Sequence, residues 1–404
     1  MKIFHREAKE YPSFPMAEYI ELLNNAIRYK QNHPSEDVTV NFALYQLYES
    51  VYFYYDPADA EYGNITPNSI PGRTENIFHS VIRAAKNKVN ISFTYQSKGL
   101  LNQVFADSSA ETGDHLKVYP ITWGTQGRQQ MHCKYMTINK MEDAEGEVFL
   151  DSVYVSSQNI DQLSGENLFK ASSDRANSGV LVSSHPALKN AYDHYFQVIT
   201  ENCDDQNAFQ NEVKKLHAAG TLNYEDEHFG TFFTPVIGDI EGDGWDIQNN
   251  MVARYVTELE KARGNKLFYA DVYIYYSDAF GLRLYDELMK AKKSGKMDVK
   301  WAMEGNACDQ KAYGSASKFK EAMEQLGPLA YEKLDHKSKI HCKDYIFSYK
   351  EKKTTRYITI SGSANLVRSE MNEKANASIV IKETEEDHRI FDVFKSFVDM
   401  KFSD

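Results

Sequence analysis

Apolar and polar positions along the chain alternate in a way that fits helices and strands, and much of this alternation occurs twice. In the first half, ENIFHSVIRAAKNK has apolar residues on one helical face, namely Ile77, Phe78, Val81, Ile82 and Ala85. The apolar run VNISFTY follows it and predicts a buried strand. In the second half, MVARYVTELEKARGNK has the same helical spacing and DVYIYY is its strand. The two halves therefore begin with the same helix–strand unit.

Both halves then continue in the same order. A further strand, LKVYPITW or MDVKWAM, is followed by a strand over MHCKYMTIN (131–139) or IHCKDYIFS (340–348). Next come a strand that ends in a turn of small residues, VYVSSQN or ITISGSAN, a closing strand, SGVLVS or ASIVIK, and an amphipathic helix. This matched order predicts an internal duplication. The expected fold is an α/β protein with two mixed β-sheets flanked by helices.

The repeat also predicts the domain organisation. Residues 71–203 form the first half and residues 230–404 the second. Residues 1–70, which include a predicted helix over 16–32, are expected to form an N-terminal extension that packs on the core. Residues 204–229 are interpreted as an acidic linker, because this stretch is loop-like and rich in carboxylates.

Composition narrows the class of protein. The 404 residues are 42% hydrophobic and 26% charged, which is typical of a globular chain. The net charge of −12 argues against a protein that coats polyanions, although it leaves room for a local basic cleft. The N-terminus has no apolar core of signal-peptide length, and no run approaches transmembrane length. We expect a soluble protein, either cytoplasmic or secreted after removal of a signal.

Candidate chemistry begins with a triplet that stands at the same place in each half, as His132-Cys133-Lys134 and as His341-Cys342-Lys343. Side chains alternate on a strand, so the histidine and lysine share one face and the cysteine points to the other. This alternation argues against a shared His/Cys metal site, and the cysteines are interpreted as small buried hydrophobes. The shared face offers a nucleophile or proton carrier beside a fixed positive charge.

A hydroxyl and an amide follow at the next strand end, as Ser157 and Asn159 in the first half and as Ser363 and Asn365 in the second. A hairpin can bring each asparagine back beside the lysine of its own half. Two halves related by a pseudo-twofold axis would then bring together two histidines, two lysines and two asparagines. Such a pocket suits a phosphate diester, because cations and amides bind the non-bridging oxygens. One imidazole can attack phosphorus while the other protonates the leaving oxygen, with no metal and no cofactor.

These paired motifs resemble those of the phospholipase D superfamily, which has H-x-K-x4-D followed by G-S-x-N twice. The resemblance covers roughly 70–202 and 230–404. It implies a duplicated α/β sandwich with the active site between the halves and a covalent phosphohistidine intermediate. By this resemblance His132 is the nucleophile and His341 the general acid. The other implied roles are phosphate binding, by Lys134, Lys343, Asn159 and Asn365, and support of these residues, by Ser157 and Ser363.

The chain departs from the family pattern at two kinds of position. Where the motif has its aspartate, this chain has Asn139 and Ser348. Where many members have a carboxylate that can hold a histidine, it has Asn177 and Asn376. An amide oxygen can still accept from the imidazole N–H, although it stabilises the imidazolium less than a carboxylate does. Asparagine at the motif-aspartate position also occurs in the tyrosyl-DNA phosphodiesterase branch, so its presence is compatible with activity.

Three functions fit these residues. The favoured one is a phosphoric diester hydrolase of lipid metabolism, which hydrolyses a phospholipid headgroup or transfers the phosphatidyl group. The tyrosine-rich stretch 49–57 is compatible with an aromatic rim that meets lipid, and packing of this stretch on the core fits it as well. We expect a monomer, because the internal pairing replaces the dimerisation of single-motif relatives.

The second function is a nuclease or DNA-adduct phosphodiesterase, which needs a basic groove lined by stacking side chains. Basic stretches occur at 289–296 and 349–356, and both also fit solvated charges at a helix end and a hairpin turn. The third is a catalytically degenerate binding protein on the same fold.

Overall fold

The computed structural model forms two compact units, Met1–Glu212 and Val213–Asp404. It describes residues 1–6, 14–45, 53–54, 66–67, 74–75, 77–96, 100–124, 130–158, 175–235, 267–274, 293, 298–304, 330–334, 339–365 and 368–402. The predicted helix at 251–266 and most of the tyrosine-rich stretch lie outside these residues. Among the described helices, none is both long enough and apolar enough to cross a membrane.

The first unit contains a mixed sheet with helices on it. Its strands are β1 Lys2–Arg6, β2 Thr39–Leu44, β3 Phe53–Tyr54, β4 Thr66–Pro67, β5 Thr74–Glu75, β6 Asn90–Gln96, β7 Leu116–Ile121, β8 Lys134–Glu142, β9 Val148–Ser156 and β10 Arg175–Val182. Its helices are α1 Phe14–Asn32, α2 Ile77–Lys86, α3 Leu100–Thr112 and α4 Pro186–Glu201, with a 3-10 turn at Gly113–His115. The main sheet has the order β1-β10-β9-β8-β2-β6-β7, and β3, β4 and β5 form a small separate sheet.

The second unit contains a sheet of the order β11-β18-β17-β16-β12-β13-β14. These strands are β11 Phe229–Phe233, β12 Leu267–Ile274, β13 Asp298–Glu304, β14 Ala330–Leu334, β16 Lys343–Glu351, β17 Thr354–Gly362 and β18 Ala377–Thr384, and the short β15 Lys339–Ile340 is not part of this sheet. Helix α5 Gln206–Ala218 spans the boundary between the units along the chain, and α6 Arg368–Asn372 and α7 Arg389–Phe402 follow later.

The two sheets are built in the same way. Along the spatial order of the first sheet, every neighbouring pair of strands from β1 to β2 is antiparallel, and so is every pair from β11 to β12 in the second sheet. In the rest of each sheet, which is β2-β6-β7 in the first and β12-β13-β14 in the second, every neighbouring pair is parallel. The predicted α/β fold with two mixed sheets flanked by helices is confirmed. The shared strand order is the one that an internal duplication would produce.

Aromatic side chains pack both faces of the first sheet. On one face, Tyr19 of α1 contacts Phe42 of β2 and Tyr154 of β9, with ring centroids 4.9 and 5.0 Å apart. On the other, Tyr192 of α4 packs on Tyr135 of β8 at 5.0 Å. Each strand residue therefore meets one of two apolar layers according to its position in the alternation.

The closing helices begin where the sequence supplies caps. Pro186 stands in the first turn of α4, and the His185 side chain accepts the N–H of Leu188 at 3.1 Å. In the second unit, the Glu383 carboxylate accepts the N–H groups of Ile390 and Phe391 at the start of α7. Burial raises the pKa of Glu383. Local sequence thus fixes the start of both helices.

Two segments differ from the expectation. Residues 1–70 were expected to pack on the core as an extension, yet β2 lies inside the main sheet between β6 and β8, and α1 belongs to the core. The β-branched and aromatic residues of VTVNFAL explain this, because they suit a strand that is buried on both faces. Residues 204–229 were interpreted as a loop-like linker, yet they contain all of α5. Its buried Phe209, Val213 and His217 recur every four residues, which is a helical stripe.

Replacing Gly362 by alanine should destabilise the second unit. A Cβ atom there would lie 2.6 Å from both the Ser378 Cα and the Ala377 carbonyl oxygen, which are backbone atoms of the paired strand. We expect the free energy of unfolding to fall by about 1–3 kcal/mol, measured by urea titration. Gly230→Ala is the matched control, because the nearest atom to its Cβ would be the Val380 Cβ at 3.3 Å and the nearest backbone atom the Tyr224 carbonyl oxygen at 3.7 Å. Equal losses in the two variants would contradict the close-approach argument.

Candidate active site

The first histidine–lysine pair stands at the start of β8. His132 precedes the strand and Lys134 begins it, and both side chains are buried, with exposures of 5% and 0%. The Lys134 ammonium donates to the His132 carbonyl oxygen at 2.8 Å, which fixes the direction of the lysine side chain. The Tyr45 ring contacts both residues, lying 4.6 Å from the imidazole and 5.0 Å from the lysine Nζ. The histidine and lysine therefore lie on the same side of the strand.

Cys133 lies on the opposite side, among tyrosines. The Cys133 thiol is buried and neighbours Tyr135, Tyr192 and Tyr195. Burial raises the pKa of all three phenols well above the ordinary value, and the thiol raises it further. The cysteine thus belongs to the apolar layer under α4 and not to the histidine face.

The second unit repeats this arrangement at the start of β16. His341 and Lys343 are buried, and the Lys343 ammonium donates to the His341 carbonyl oxygen at 2.5 Å. Cys342, between them, is also buried. The same ammonium-to-carbonyl bond therefore closes the motif in both units.

The serine turns lie at the same end of each sheet as the histidine–lysine motifs. In the antiparallel ladders, Tyr135 pairs with Val155 and Tyr345 pairs with Ile360. Continuing each register toward the strand ends places the serine turn opposite the motif cysteine. The strand pairing alone therefore brings each serine turn beside the motif of its own unit.

Each serine is held in place by the asparagine of its closing strand. Ser157 Oγ donates to Asn177 Oδ1 at 3.1 Å and accepts the Ser178 N–H at 3.0 Å. All three residues are buried. The hydrogen bond described for Asn177 Oδ1 goes to this serine, so its role in orienting a histidine stays a prediction.

The second unit has the same network. Ser363 Oγ donates to Asn376 Oδ1 at 3.1 Å and accepts the Ala377 N–H at 3.1 Å. The Asn376 amide donates to Thr234 Oγ1 at 3.2 Å and to the Glu370 carbonyl oxygen at 3.1 Å. The asparagine therefore joins the serine turn to β11 and to α6.

The amide predicted to bind phosphate in the second unit has a carboxylate neighbour. Asn365 is 6% exposed, and its Nδ2 donates to Glu370 Oε1 at 3.2 Å. Lys374 Nζ lies 2.9 Å from the same oxygen, so the buried carboxylate has a cationic partner. Burial raises the pKa of Tyr345, and the carboxylates of Asp344 and Glu370 raise it further. Asn159, the counterpart of Asn365, lies outside the described residues.

Sequence reasoning missed Glu370, Tyr45 and Gln96. Gln96 Oε1 accepts the Met131 N–H at 3.1 Å, and its Nε2 donates to the Trp123 carbonyl oxygen at 2.6 Å. This buried amide therefore anchors the backbone next to His132. The only local signal for Gln96 was its position as a polar residue at the end of an apolar strand. The local signal for Glu370 was its closeness to the GSAN turn in the sequence.

The motif-aspartate positions lie further along the strands. Asn139 Oδ1 accepts the Thr39 N–H at 2.7 Å, and Asn139 Nδ2 donates to the Asp37 carbonyl oxygen at 3.1 Å. This side chain joins β8 to the start of β2. Ser348 is buried in β16. Among the described residues, no group of three or more His, Cys, Asp and Glu side chains could hold a metal ion.

Solved structures share this architecture. A phosphatidylserine synthase from Haemophilus influenzae Rd KW20 matches 99% of this chain and 93% of its own length, at 11% identity and a TM-score of 0.52. A polyphosphate kinase from Porphyromonas gingivalis matches 100% of this chain at 11% identity and a TM-score of 0.51, and this chain spans 47% of its length. The phospholipase D family member Nuc from Salmonella typhimurium matches 48% of this chain at a TM-score of 0.26, which is too low to support a conclusion.

Neither a protein-family profile nor a curated protein matches the sequence. At 11% identity, the likeness to the synthase and the kinase shows the fold and not the activity. Both matches extend over nearly the whole chain and include both units. The mixed α/β fold that the sequence predicts is therefore shared with these two structures, whereas the resemblance to the phospholipase D superfamily rests on the paired motifs of the sequence.

Proposed function

We propose that this chain is a metal-independent phosphodiesterase of the phospholipase D type, with a phospholipid headgroup diester as its favoured substrate. The observation that carries the proposal is the repeated site. Each unit buries a histidine, a lysine whose ammonium bonds to the histidine carbonyl, and a serine held by an asparagine. The fold match to a phosphatidylserine synthase supports a lipid substrate.

In the proposed reaction, His132 attacks phosphorus while His341 acts as the general acid. A bond forms between an imidazole nitrogen and phosphorus, the bond from phosphorus to the leaving oxygen breaks, and the proton of His341 passes to that oxygen. His341 then takes a proton from water or an alcohol, which attacks phosphorus and releases His132. Water gives hydrolysis, and an alcohol gives phosphatidyl transfer.

The cations and amides stabilise the charge of this reaction. Lys134 and Lys343 supply ammonium groups to the non-bridging phosphoryl oxygens, which become more negative in the transition state. Asn159 and Asn365 add amide donors, and Ser157 and Ser363 hold the turns that carry them. Burial strengthens these interactions because the local dielectric constant is low.

The nucleic-acid alternative has less support from the described residues. The basic stretch 349–356 forms the hairpin tip between β16 and β17, with Lys352 and Lys353 exposed in the turn. Arg356 pairs with Glu351 at 3.0 Å across the hairpin. These charges therefore fit the other interpretation of this stretch, which is solvated charges at a hairpin turn. The stretch 289–296 lies outside the described residues except for Lys293.

Removing either histidine should abolish turnover. We expect His132→Ala and His341→Ala each to lower kcat by at least about a thousandfold on a bis-aryl phosphodiester, with an unchanged circular dichroism spectrum. His115→Ala is the matched control, because His115-Leu116-Lys117 is a His-x-Lys triplet outside the motifs and its imidazole bonds to Asn90. EDTA should have no effect. Loss of activity in EDTA that a divalent ion reverses would contradict the mechanism. An inactive wild-type protein would favour the binding alternative.

A direct comparison of substrates should separate the two enzymatic alternatives. We expect release of the headgroup from phosphatidylcholine or phosphatidylserine vesicles, and no cleavage of single-stranded DNA. Phosphatidic acid and released headgroup are measured by mass spectrometry, and His132→Ala reports the background. Cleavage of DNA without cleavage of lipid would reverse the preference.

Restoring the family acid at position 139 should harm the protein and not help it. In Asn139→Asp, a carboxylate oxygen would face the Asp37 carbonyl oxygen that now accepts the Asn139 amide. We expect a loss of about 1–2 kcal/mol in the free energy of unfolding at pH 7 and no gain in kcat. The repulsion raises the pKa of the new carboxyl, so the loss shrinks as the pH falls toward about 4, where a protonated oxygen can donate again. A faster and equally stable variant would contradict this account.

A further inference from the structure

Tyr45 contacts both the histidine and the lysine of the first motif. It follows β2, one position after Leu44, which pairs with Lys134 in the antiparallel ladder. Its side chain is 8% exposed. The ring makes a T-shaped contact with the His132 imidazole at 4.6 Å and 61°, and Lys134 Nζ lies 5.0 Å from its centroid. Its hydroxyl donates to Gln130 Oε1 at 2.6 Å.

We propose that Tyr45 is a positioning residue of the anion site, and that its aromatic ring holds His132 and Lys134 in the geometry that binds phosphate. The inference rests on the proposed function and goes beyond it, since neither the motif nor the fold assigns a role to this position. Tyr45 acts through the two motif side chains and does not itself react.

The physical argument comes from the three contacts together. An edge-to-face contact restricts rotation of the imidazole about its last torsion. The negative face of the ring attracts the ammonium and favours one place for it, an effect that grows where water is excluded. The hydroxyl bond to Gln130 ties the tip of the ring to the segment that carries His132. A single side chain thus sets the orientation of both groups.

The second unit carries the same residue type at the matching position. Ile274 pairs with Lys343 as Leu44 pairs with Lys134. The next residue in the sequence is Tyr275, as it is Tyr45 in the first unit. Tyr275 lies outside the described residues, so this correspondence is one of sequence and register. In both halves, a tyrosine therefore follows the strand residue that pairs with the motif lysine.

A matched tyrosine separates positioning from packing. Tyr19 lies in the same unit, is fully buried, and packs its ring on Phe42 and Tyr154. Removal of its ring should lower stability, because a large aromatic side chain leaves a cavity. It should not change anion affinity, since the ring contacts described for it belong to the apolar layer.

The experiment measures the Kd of tungstate, a tetrahedral oxyanion, by calorimetry on the intact protein. Tyr45→Phe keeps the ring and should bind within about threefold of wild type, whereas Tyr45→Leu should bind about tenfold more weakly. Tyr19→Leu should bind as wild type does while its thermal midpoint falls. If Tyr45→Leu does not fold, Tyr45→Met fills the site without an aromatic face. On the bis-aryl diester, kcat/KM should fall in the Leu or Met variant and be recovered in the Phe variant.

Each outcome decides one question. Weaker binding in Tyr45→Leu alone supports positioning by the ring. Wild-type affinity in Tyr45→Leu, or equal losses in Tyr45→Leu and Tyr19→Leu, overturns the role of Tyr45 and leaves the proposed function standing. A wild-type protein that neither binds tungstate nor cleaves a diester overturns the proposed function, and the role of Tyr45 with it.

Discussion

The alternation of side chains along one strand is the constraint on which the candidate site depends. At the start of β8 and of β16, three consecutive residues must serve two environments. The outer two face the polar site, and the middle one enters an apolar layer that in the first unit is lined by tyrosines. A shift of one residue in register would place the histidine and the lysine in the apolar layer and turn the thiol to the polar side. The strand pairing, the buried cysteine and the histidine–lysine face are therefore consequences of a single register.

Burial of so many polar groups is stable only because hydrogen bonds compensate for the lost water. The ammonium of each motif lysine bonds to a carbonyl two residues away, and each turn serine both donates and accepts across the closing strand. The lysine bonds close each motif on itself, and the serine bonds join the end of one strand to the next strand of the chain. The polar network therefore specifies how the ends of β8, β9 and β10 meet, and the second unit solves the same problem with the same kinds of residue.

Much of the fold could be predicted from the sequence, because strand and helix periodicity repeats and the motif occupies the same place in each half. The place of β2 could not, since it depends on pairing with β6 and β8, strands that come much later in the chain. Helix α5 was hidden by the carboxylates before and after it in the sequence, although Phe209 and Val213 carry a helical spacing. Tyr45, Gln96 and Glu370 were missed for a common reason. Their contacts with the site arise from tertiary pairing, and the local signals of Gln96 and Glu370, a polar strand end and closeness to the GSAN turn, do not by themselves indicate a site.

The buried thiols have a practical consequence. Cys133 and Cys342 are buried immediately before β8 and β16, so a reagent in solution can reach them only when the local structure opens. Among the described cysteines, each unit has one buried thiol, and the rate of native-state alkylation at Cys133 or Cys342 measures how often its own unit opens. The chain thus contains two built-in reporters of local unfolding, one under each motif, without any added label.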